Sequence, residues 1–277
     1  MSNRELAPFW GAGLRFGLAA ALFVLIALAL RLRWPRGRLL ATTAAYGALA
    51  FAVSYALMYW ALVRATAGTA TIVLAAVPLV TLLLAVAQRL ERLTLRAVAG
   101  SVLALVGITW IAIGGQALQA PISAVIAMVG ATLAIGQSII LGKRLSGNHP
   151  VMTNAVGMAI AALLLLALSV AANEAWALPY QPDVATAVAY LVTLGSVGLF
   201  VLVLLVVRRW TASASSYMFV LFPVVTLALA AWLVDEAVTL PAVIGAALVM
   251  AGVWFGALSS AQTPPTSGTA HGSANRL

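Results

Sequence analysis

Long apolar segments separated by short polar gaps fill this chain from about position 8 to position 259. The apolar segments run for about 18 residues or more, and a helix of that length can cross a hydrocarbon core of about 30 Å. Most charged residues lie in the gaps. The pattern predicts an all-α polytopic membrane protein with nine transmembrane helices, at approximately residues 8–30, 40–62, 67–88, 96–114, 121–142, 150–172, 184–207, 213–234 and 241–259.

One segment of this pattern occurs twice in the chain. The segment Pro78–Thr94, PLVTLLLAVAQRLERLT, has a counterpart in Pro223–Thr239, PVVTLALAAWLVDEAVT, and 145 positions separate each proline, glutamate and final threonine from its partner. Between residues 64–107 and 209–252, paired without a gap, 17 of the 44 pairs are identical. Self-similarity at a fixed offset indicates an internal duplication.

The duplication predicts how the halves are arranged. The helix beginning at Pro121 has no counterpart, because its partner would lie ahead of Met1, so the repeated unit is five helices. Five is odd, and the second copy therefore enters the membrane inverted. Inverted repeats are typical of secondary transporters, with the binding site near mid-membrane. We expect a first half at residues 1–116 without its first helix, an inverted second half at 117–261, and a disordered cytoplasmic tail at 262–277.

These motifs resemble a known family. The pattern P-x12-E-x-x-T is followed by G-x6-G in both halves, as GSVLALVG and GAALVMAG, and one helix opens APFWGAGLRFGLAAALFVL. From about residue 8 to 260 the chain resembles the EamA-type drug/metabolite transporter superfamily. The resemblance implies ten helices in two inverted five-helix repeats. This chain lacks the first helix; either the true start lies upstream, or this is a nine-helix variant that begins outside.

Composition and charge refine this picture. Apolar residues make up 64% of the 277 positions and charged residues 8%, against roughly a quarter charged in soluble proteins. The net charge of +9 comes from gap residues, which we interpret as topology signals and not as a nucleic-acid surface. Twelve of the fifteen basic residues fall in alternate gaps on one side of the membrane. The positive-inside rule makes that side, and the C-terminus, cytoplasmic in the inner membrane.

Several polar and aromatic side chains inside the predicted helices are candidates for contacting a small-molecule substrate. Arg15 is the charge that lies well inside an apolar run; its guanidinium can hold an anionic group, reach the outer interface, or bond a neighbouring helix. The others can line a cavity, hydrogen-bond between helices, or anchor at the interface. The tentative substrate-binding set is Arg15, Tyr55, Tyr59, Gln137, Asn154, Tyr190 and Tyr217.

The duplicated prolines and glutamates form a second set. Pro78 and Pro223 are expected to bend their helices within the membrane. Glu91 and Glu236 are expected at the ends of those helices, on opposite membrane faces. They either pair locally with arginines or amides, or act as gates whose contacts change between inward and outward states. Gly100, Gly107, Gly245 and Gly252 are expected to let neighbouring helices approach closely.

The favoured function is a secondary transporter, an exporter of small metabolites or drugs that works by alternating access. The alternatives are a non-transporting scaffold or degenerate transporter copy, and an intramembrane enzyme. An enzyme is disfavoured because His149 and His271 fall outside the predicted helices and because no buried carboxylate pair is evident. We predict no catalytic residue, metal or cofactor. The predicted partners are a small-molecule substrate and the lipid bilayer, not nucleic acid, and the sequence leaves the oligomeric state open.

Overall fold

Helices form every regular element of the residues that the structure, a computed structural model, describes: 6–65, 67–113, 120–178, 180–233 and 240–258. A backbone surrounded by lipid must satisfy its N–H and C=O groups internally, which a helix does. In chain order the elements are α1 Pro8–Ala29, α2 Arg38–Gly47, π1 Ala48–Val53, α3 Ser54–Leu62, α4 Ala67–Leu74, α5 Val77–Ala87, α6 Leu95–Ile113, α7 Ile122–Arg144, α8 Pro150–Ala171, α9 Pro182–Val192, π2 Thr193–Gly198, α10 Leu199–Arg209, α11 Ala212–Ser216, α12 Met218–Leu233, α13 Leu240–Val253 and π3 Trp254–Leu258.

These elements occupy the nine predicted places, so the prediction of an all-α polytopic fold is confirmed. In the described part of the chain, five helices are long and apolar enough to span a membrane: Pro8–Ala29, Arg38–Leu62, Ile122–Arg144, Pro150–Ala171 and Pro182–Arg209. Four shorter apolar helices fill the remaining places, at Ile72–Ala87, Leu95–Trp110, Ala212–Val225 and Val243–Gly256.

Two predicted helices are interrupted. The predicted helix 67–88 breaks between α4 and α5, and 213–234 breaks between α11 and α12 at Tyr217. Pro78 stands in the first turn of α5 and so begins a helix instead of bending a continuous one, a position where its missing N–H costs nothing. Pro223 lies inside α12.

The duplication is visible in how helices end. Arg31 and Asn173 follow α1 and α8 with φ of 51° and 53°, the left-handed conformation typical of a helix C-terminus. The next amide in each case bonds back five residues, to Ala27 in the first half and to Ser169 in the second. These pairs are 142 positions apart, the offset that also relates Pro8 to Pro150.

Two pairs of equivalent helices pack extensively against each other, α1 with α8 and α6 with α13. The second pair confirms the small-residue prediction: a Cβ at Gly100 would lie 2.7 Å from the Gly252 carbonyl oxygen, and one at Gly107 would lie 2.7 Å from that of Gly245. Gly47 makes a further close approach, since its Cβ would overlap the backbone of Gly157.

Candidate functional site

Arg15 lies between the halves and bonds to neutral groups. Its Nε donates to the Ser196 hydroxyl at 2.9 Å, and its Nη2 donates to the Gly195 carbonyl oxygen at 2.9 Å. Both acceptors belong to π2, where the helical ladder is locally widened. The guanidinium carbon lies 5.3 Å from the centroid of the Phe16 ring and 5.9 Å from that of Tyr55. All four partners are neutral, so none of them balances the positive charge.

A cluster of aromatic rings lies between Arg15 and an internal cavity. Tyr55 packs edge-on to Phe16 with ring centroids 4.9 Å apart, and Tyr59 follows at 6.0 Å. Phe51 and Phe200 continue the cluster with centroids 4.7 Å apart. Tyr55 and Phe200 also line the cavity, so the rings form a wall that separates Arg15 from it.

The internal cavity is small. It occupies about 90 Å³ between the α2–α3 segment, α7 and α10, and its polar lining comes from Tyr46, Ser54, Tyr55 and Ser138. A second space of about 20 Å³ lies beside Arg15 and Tyr59. Sites that enclose a small molecule typically measure about 300–1,000 Å³. The halves must therefore separate before a metabolite can occupy this place.

The two halves are joined at the predicted cytoplasmic end by Glu91. One carboxylate oxygen accepts from the Ser213 backbone N–H at 3.1 Å, and the other accepts from the Ser213 hydroxyl. Glu91 lies four residues beyond the end of α5, whereas Ser213 opens α11 in the second half. The arginine pairing offered as one alternative for Glu91 is thus replaced by a backbone amide and a hydroxyl of the other half.

Gln137 belongs to the same end of the molecule. Its Oε1 accepts from Gln88 Nε2 at 2.7 Å, and Gln88 Oε1 accepts from Arg144 at 2.7 Å. Lys143 donates to the carbonyl oxygens of Arg208 and Trp210 at 2.9 and 2.8 Å. The Gln137 amide therefore links α7, to which it belongs, to the end of α5.

Asn154 is completely buried in α8, and neither side-chain polar atom has a hydrogen-bond partner among the residues that the structure describes. An unsatisfied buried amide costs about 1–3 kcal/mol. Such a group in a native structure calls for an explanation, and a polar ligand or a water molecule is one.

Two further candidates lie elsewhere. Tyr190 is 60% exposed on the outer surface of the bundle. Tyr217 is buried, and its hydroxyl lies 2.9 Å from the Ser101 hydroxyl and 3.2 Å from the Ala97 carbonyl oxygen. It packs against α6 and π3, where a Cβ on Gly256 would overlap its hydroxyl. Glu236, the partner of Glu91, lies outside the described residues.

Sequence reasoning missed several participants. The π-helical segments π1 and π2 lie 145 positions apart, so the duplication relates one to the other. No residue pattern in the sequence, however, predicts a π-helical segment in either half. Tyr46, which is outside the tentative substrate-binding set, is buried and lines the internal cavity. Glu174 caps the other end of the bundle, where it accepts from the N–H groups of Phe9 and Trp10 at 3.1 and 2.8 Å.

Comparison with known proteins fits this architecture. Residues 1–113 and 122–257 each match the EamA-like transporter family. The chain belongs to the EamA-like transporter family. This EamA-like protein is 30% identical over 247 residues to a protein of Streptantibioticus cattleyicolor named as a probable terminal-alkyne amino-acid exporter. The match covers 86% of this chain and 80% of the relative. A solved crystal structure, 21% identical, superposes with a TM-score of 0.78 over 94% of this chain and 90% of its own, which supports the fold.

Family membership confirms the transport prediction. The EamA-like protein is a multi-pass membrane transporter, and its relatives point to transport and not to catalysis.

Proposed function

We propose that this EamA-like protein exports small organic molecules that carry a carboxylate and an apolar part, of the amino-acid type. The observation that supports this most directly is the Arg15 guanidinium, which is bonded to neutral partners at the edge of an aromatic cluster beside the internal cavity. The planar donors of a guanidinium match the two oxygens of a carboxylate. The name of the Streptantibioticus relative points to the same class of substrate.

Tyr55 and Tyr59 are assigned to the substrate's apolar part. Aromatic faces bind apolar groups while their hydroxyls accept or donate hydrogen bonds. When the halves separate, the wall formed by Tyr55 opens and the Arg15 guanidinium meets the enlarged cavity. Asn154 is assigned to a polar group or a water molecule that enters with the substrate.

Transport proceeds by alternating access of the two halves, assigned to residues 1–116 and 117–261. Glu91 holds the cytoplasmic end closed through Ser213, and Glu236 is assigned the equivalent role at the outer end. Pro78 and Pro223 set the breaks and bends about which these ends move. The protein lies in the cytoplasmic membrane with twelve basic residues, and the tail 262–277, on the inside.

Efflux from cells tests this proposal. Cells loaded with a labelled panel of amino acids, their amide analogues and neutral drugs are compared with and without the protein. We expect faster efflux of carboxylate-bearing apolar members. Arg15→Gln should reduce that efflux about tenfold or more, because a hydrogen bond to a charged group contributes roughly 1.5–3 kcal/mol.

The matched control is Arg64→Gln, since Arg64 is exposed and, among the described residues, its side chain contacts the Trp60 carbonyl oxygen and ring in its own turn. It should export at the unmodified rate. Amino-acid efflux that is equal with and without the protein, or unaffected by Arg15→Gln at normal membrane levels, would contradict the proposal.

A further inference from the structure

The small space beside Arg15 has a counterpart in the other half of the molecule. This outer niche, of about 20 Å³, is lined by Leu6 and by residues of α1, α3 and α9. An offset of 142 positions relates α1 to α8, and an offset of 145 relates α3 to α10 and α2 to α9. Applied to the outer niche, these offsets define an inner niche toward the predicted cytoplasmic side, whose residues include Thr43, Tyr46, Asn154, Gly157 and Leu204.

Contacts within the inner niche show that its residues lie together. A Cβ on Gly157 would lie 3.3 Å from the ring of Tyr46. Tyr46 and Leu204 meet at Gly142 of α7, whose Cβ would lie 3.6 Å and 3.5 Å from their side chains. The residues that the offsets select are therefore also neighbours in space.

Thr43 and Asn154 lie at the same level of neighbouring helices. α2 and α8 both run outward from the predicted cytoplasmic side, and they approach closely where Gly47 meets Gly157. Thr43 lies one turn before Gly47 in α2. Asn154 lies one turn before Gly157 in α8, and both polar residues are completely buried. The Thr43 hydroxyl donates to the Leu39 carbonyl oxygen at 2.8 Å, so its own oxygen can still accept a bond.

The two niches differ in chemistry. The outer niche contains one charge, that of Arg15. The inner niche has Gly157 in place of that arginine, and it has polar residues at three positions where the outer niche has apolar ones: Thr43, Tyr46 and Asn154. Neither polar atom of the Asn154 side chain has a partner among the described residues. An unsatisfied buried amide is costly, and a polar ligand bound here would remove that cost.

Both niches border the internal cavity through a tyrosine. Tyr55, whose ring centroid lies 5.9 Å from the guanidinium carbon of Arg15, lines the cavity on one side. Tyr46, which packs against Gly157, lines it as well. The cavity therefore lies between the two niches, and a movement of either tyrosine would connect it to one of them.

The niches are too far apart to hold one small head group at once. A Cβ on Gly13 would lie 3.0 Å from Leu166, so α1 and α8 are in contact there. A Cβ on Gly17 would lie 3.8 Å from Ala162, which shows that the two helices run in opposite directions. Position 15 is thus near the level of position 164, ten residues from position 154, or about 15 Å along the helix axis. The carboxylate and the ammonium of an amino acid are attached to the same carbon atom, so they occupy one niche at a time.

We propose that the inner niche is the loading site of the transporter, where Asn154 holds the head group of an amino acid that arrives from the cytoplasm. The inference rests on the proposed export of amino acids and adds the place where the cargo is first bound. The Asn154 amide donates to the carboxylate through Nδ2 and accepts from the ammonium through Oδ1. Thr43 Oγ1 is a second acceptor for the ammonium.

The loading site distinguishes an amino acid from a plain carboxylic acid. A guanidinium has only donors, so Arg15 recognises a carboxylate whether or not an ammonium lies beside it. The acceptors of Asn154 and Thr43 add recognition of the ammonium. Once the cytoplasmic end closes, the head group passes to Arg15 while the apolar part remains in the internal cavity between the niches.

Transport into inside-out membrane vesicles tests the loading site, because the outer surface of such vesicles is the cytoplasmic face. The probe is the labelled amino acid that leaves fastest in the efflux panel. The competitor is its des-amino analogue, which keeps the carboxylate and lacks the ammonium. Asn154→Leu should raise the half-saturating concentration of the amino acid about tenfold, because a hydrogen bond to a charged group is lost. It should raise the half-inhibitory concentration of the analogue much less.

The opposite face and a second variant separate this role from a structural one. In right-side-out vesicles Asn154→Leu should leave the half-saturating concentration unchanged, since cargo from outside meets Arg15 first. Thr43→Val should act in the same direction as Asn154→Leu at the cytoplasmic face. The matched control is Thr81→Val, because Thr81 is also completely buried and donates to a carbonyl oxygen of its own helix, that of Val77 in α5. It should change neither concentration.

Three results would overturn the loading site: an equal rise on both faces, an equal rise for the amino acid and its analogue, or a Thr43→Val variant that behaves like Thr81→Val. Unchanged values with Asn154→Leu would also overturn it, and if export still required Arg15 the proposed function would stand. Export that is also insensitive to Arg15→Gln would overturn the proposed function itself.

Discussion

At the scale of single residues, the proposed substrate site depends on a few polar side chains in apolar surroundings. Arg15 uses two donors of its guanidinium, one on the Ser196 hydroxyl and one on the Gly195 carbonyl oxygen. An ionised group inside a membrane costs free energy, and such groups usually belong to functional sites. The bonds to π2 hold the guanidinium in one orientation, and in the proposed function the counter-charge is the carboxylate of the substrate.

Asn154 offers a test that separates stability from transport. Asn154→Leu replaces an unsatisfied buried amide by an apolar side chain of similar size, so we expect an increase of about 1–3 kcal/mol in the free energy of unfolding. We expect efflux to fall at the same time, because the amide no longer bonds to the cargo or its water. Thermal unfolding in detergent and efflux are measured on the same preparation.

The control is Tyr190→Phe, at the exposed surface. It should change neither the free energy of unfolding nor the efflux rate. Unchanged efflux together with higher stability would show that Asn154 is dispensable for transport.

Glu91 should control access from the cytoplasmic end. A cysteine introduced as Ser138→Cys lines the internal cavity and is 5% exposed. Glu91→Ala removes the bonds to Ser213 that close this end, so we expect a membrane-impermeant maleimide added on the Arg92 side to label the cysteine several-fold faster. The labelling rate is followed in oriented vesicles.

Glu174→Ala is the matched control, because Glu174 bonds Phe9 and Trp10 at the other end of the bundle. It should leave labelling from the Arg92 side unchanged. Equal acceleration by both substitutions would indicate general loosening, and the gating role of Glu91 would be lost.

At the scale of elements, close backbone contacts decide which helices pair. Gly47 in α2 faces Gly157 in α8, where a Cβ has no space. Gly47→Ala should therefore push these helices apart and lower the free energy of unfolding by about 1–3 kcal/mol. Thermal unfolding in detergent measures the change.

Gly17→Ala is the control within a packed helix, since its Cβ would meet Ala162 at an ordinary 3.8 Å. Alanine favours a helix over glycine by about 1 kcal/mol, so this variant should be as stable as the unmodified protein or more so. A stable Gly47→Ala variant would mean that the α2–α8 contact relaxes freely.

The breaks at this scale have different origins. α5 begins at Val77 because Pro78 suits the first turn of a helix. α11 begins after Thr211, whose hydroxyl accepts from the Ala214 N–H at 3.2 Å, a standard helix cap. Both helix starts are therefore present in the sequence, although the mean hydropathy of a whole predicted span does not reveal them.

At the scale of the whole molecule, inversion of the halves is the property on which transport depends. Thr94 and Thr239 are counterparts in the duplication. Thr94→Cys should react with an impermeant maleimide only from the cytoplasm, and Thr239→Cys only from outside. Labelling of both from one side would contradict the inverted arrangement.

The closed state of the molecule also belongs to this scale. Glu91 joins the halves at one end, Glu174 caps α1 at the other, and the cavity between them is about 90 Å³. A substrate-filled state needs several times that volume. In the proposed cycle, opening breaks one of these end contacts and moves the aromatic cluster around Tyr55 apart.

The sequence by itself determined the membrane class, the nine helical places and the duplication, because these depend on local hydropathy and on identities at a fixed offset. It also selected Arg15, as a charge inside an apolar run, and Tyr55 and Tyr59, as aromatic residues at helical spacing; the fold then brings the three together. Only the tertiary structure decided that Tyr190 faces outward, that Tyr217 and Gln137 serve helix contacts, and that Glu91 meets Ser213. Those outcomes depend on how each helix is rotated against its neighbours, and rotation is set by packing between residues far apart in the chain.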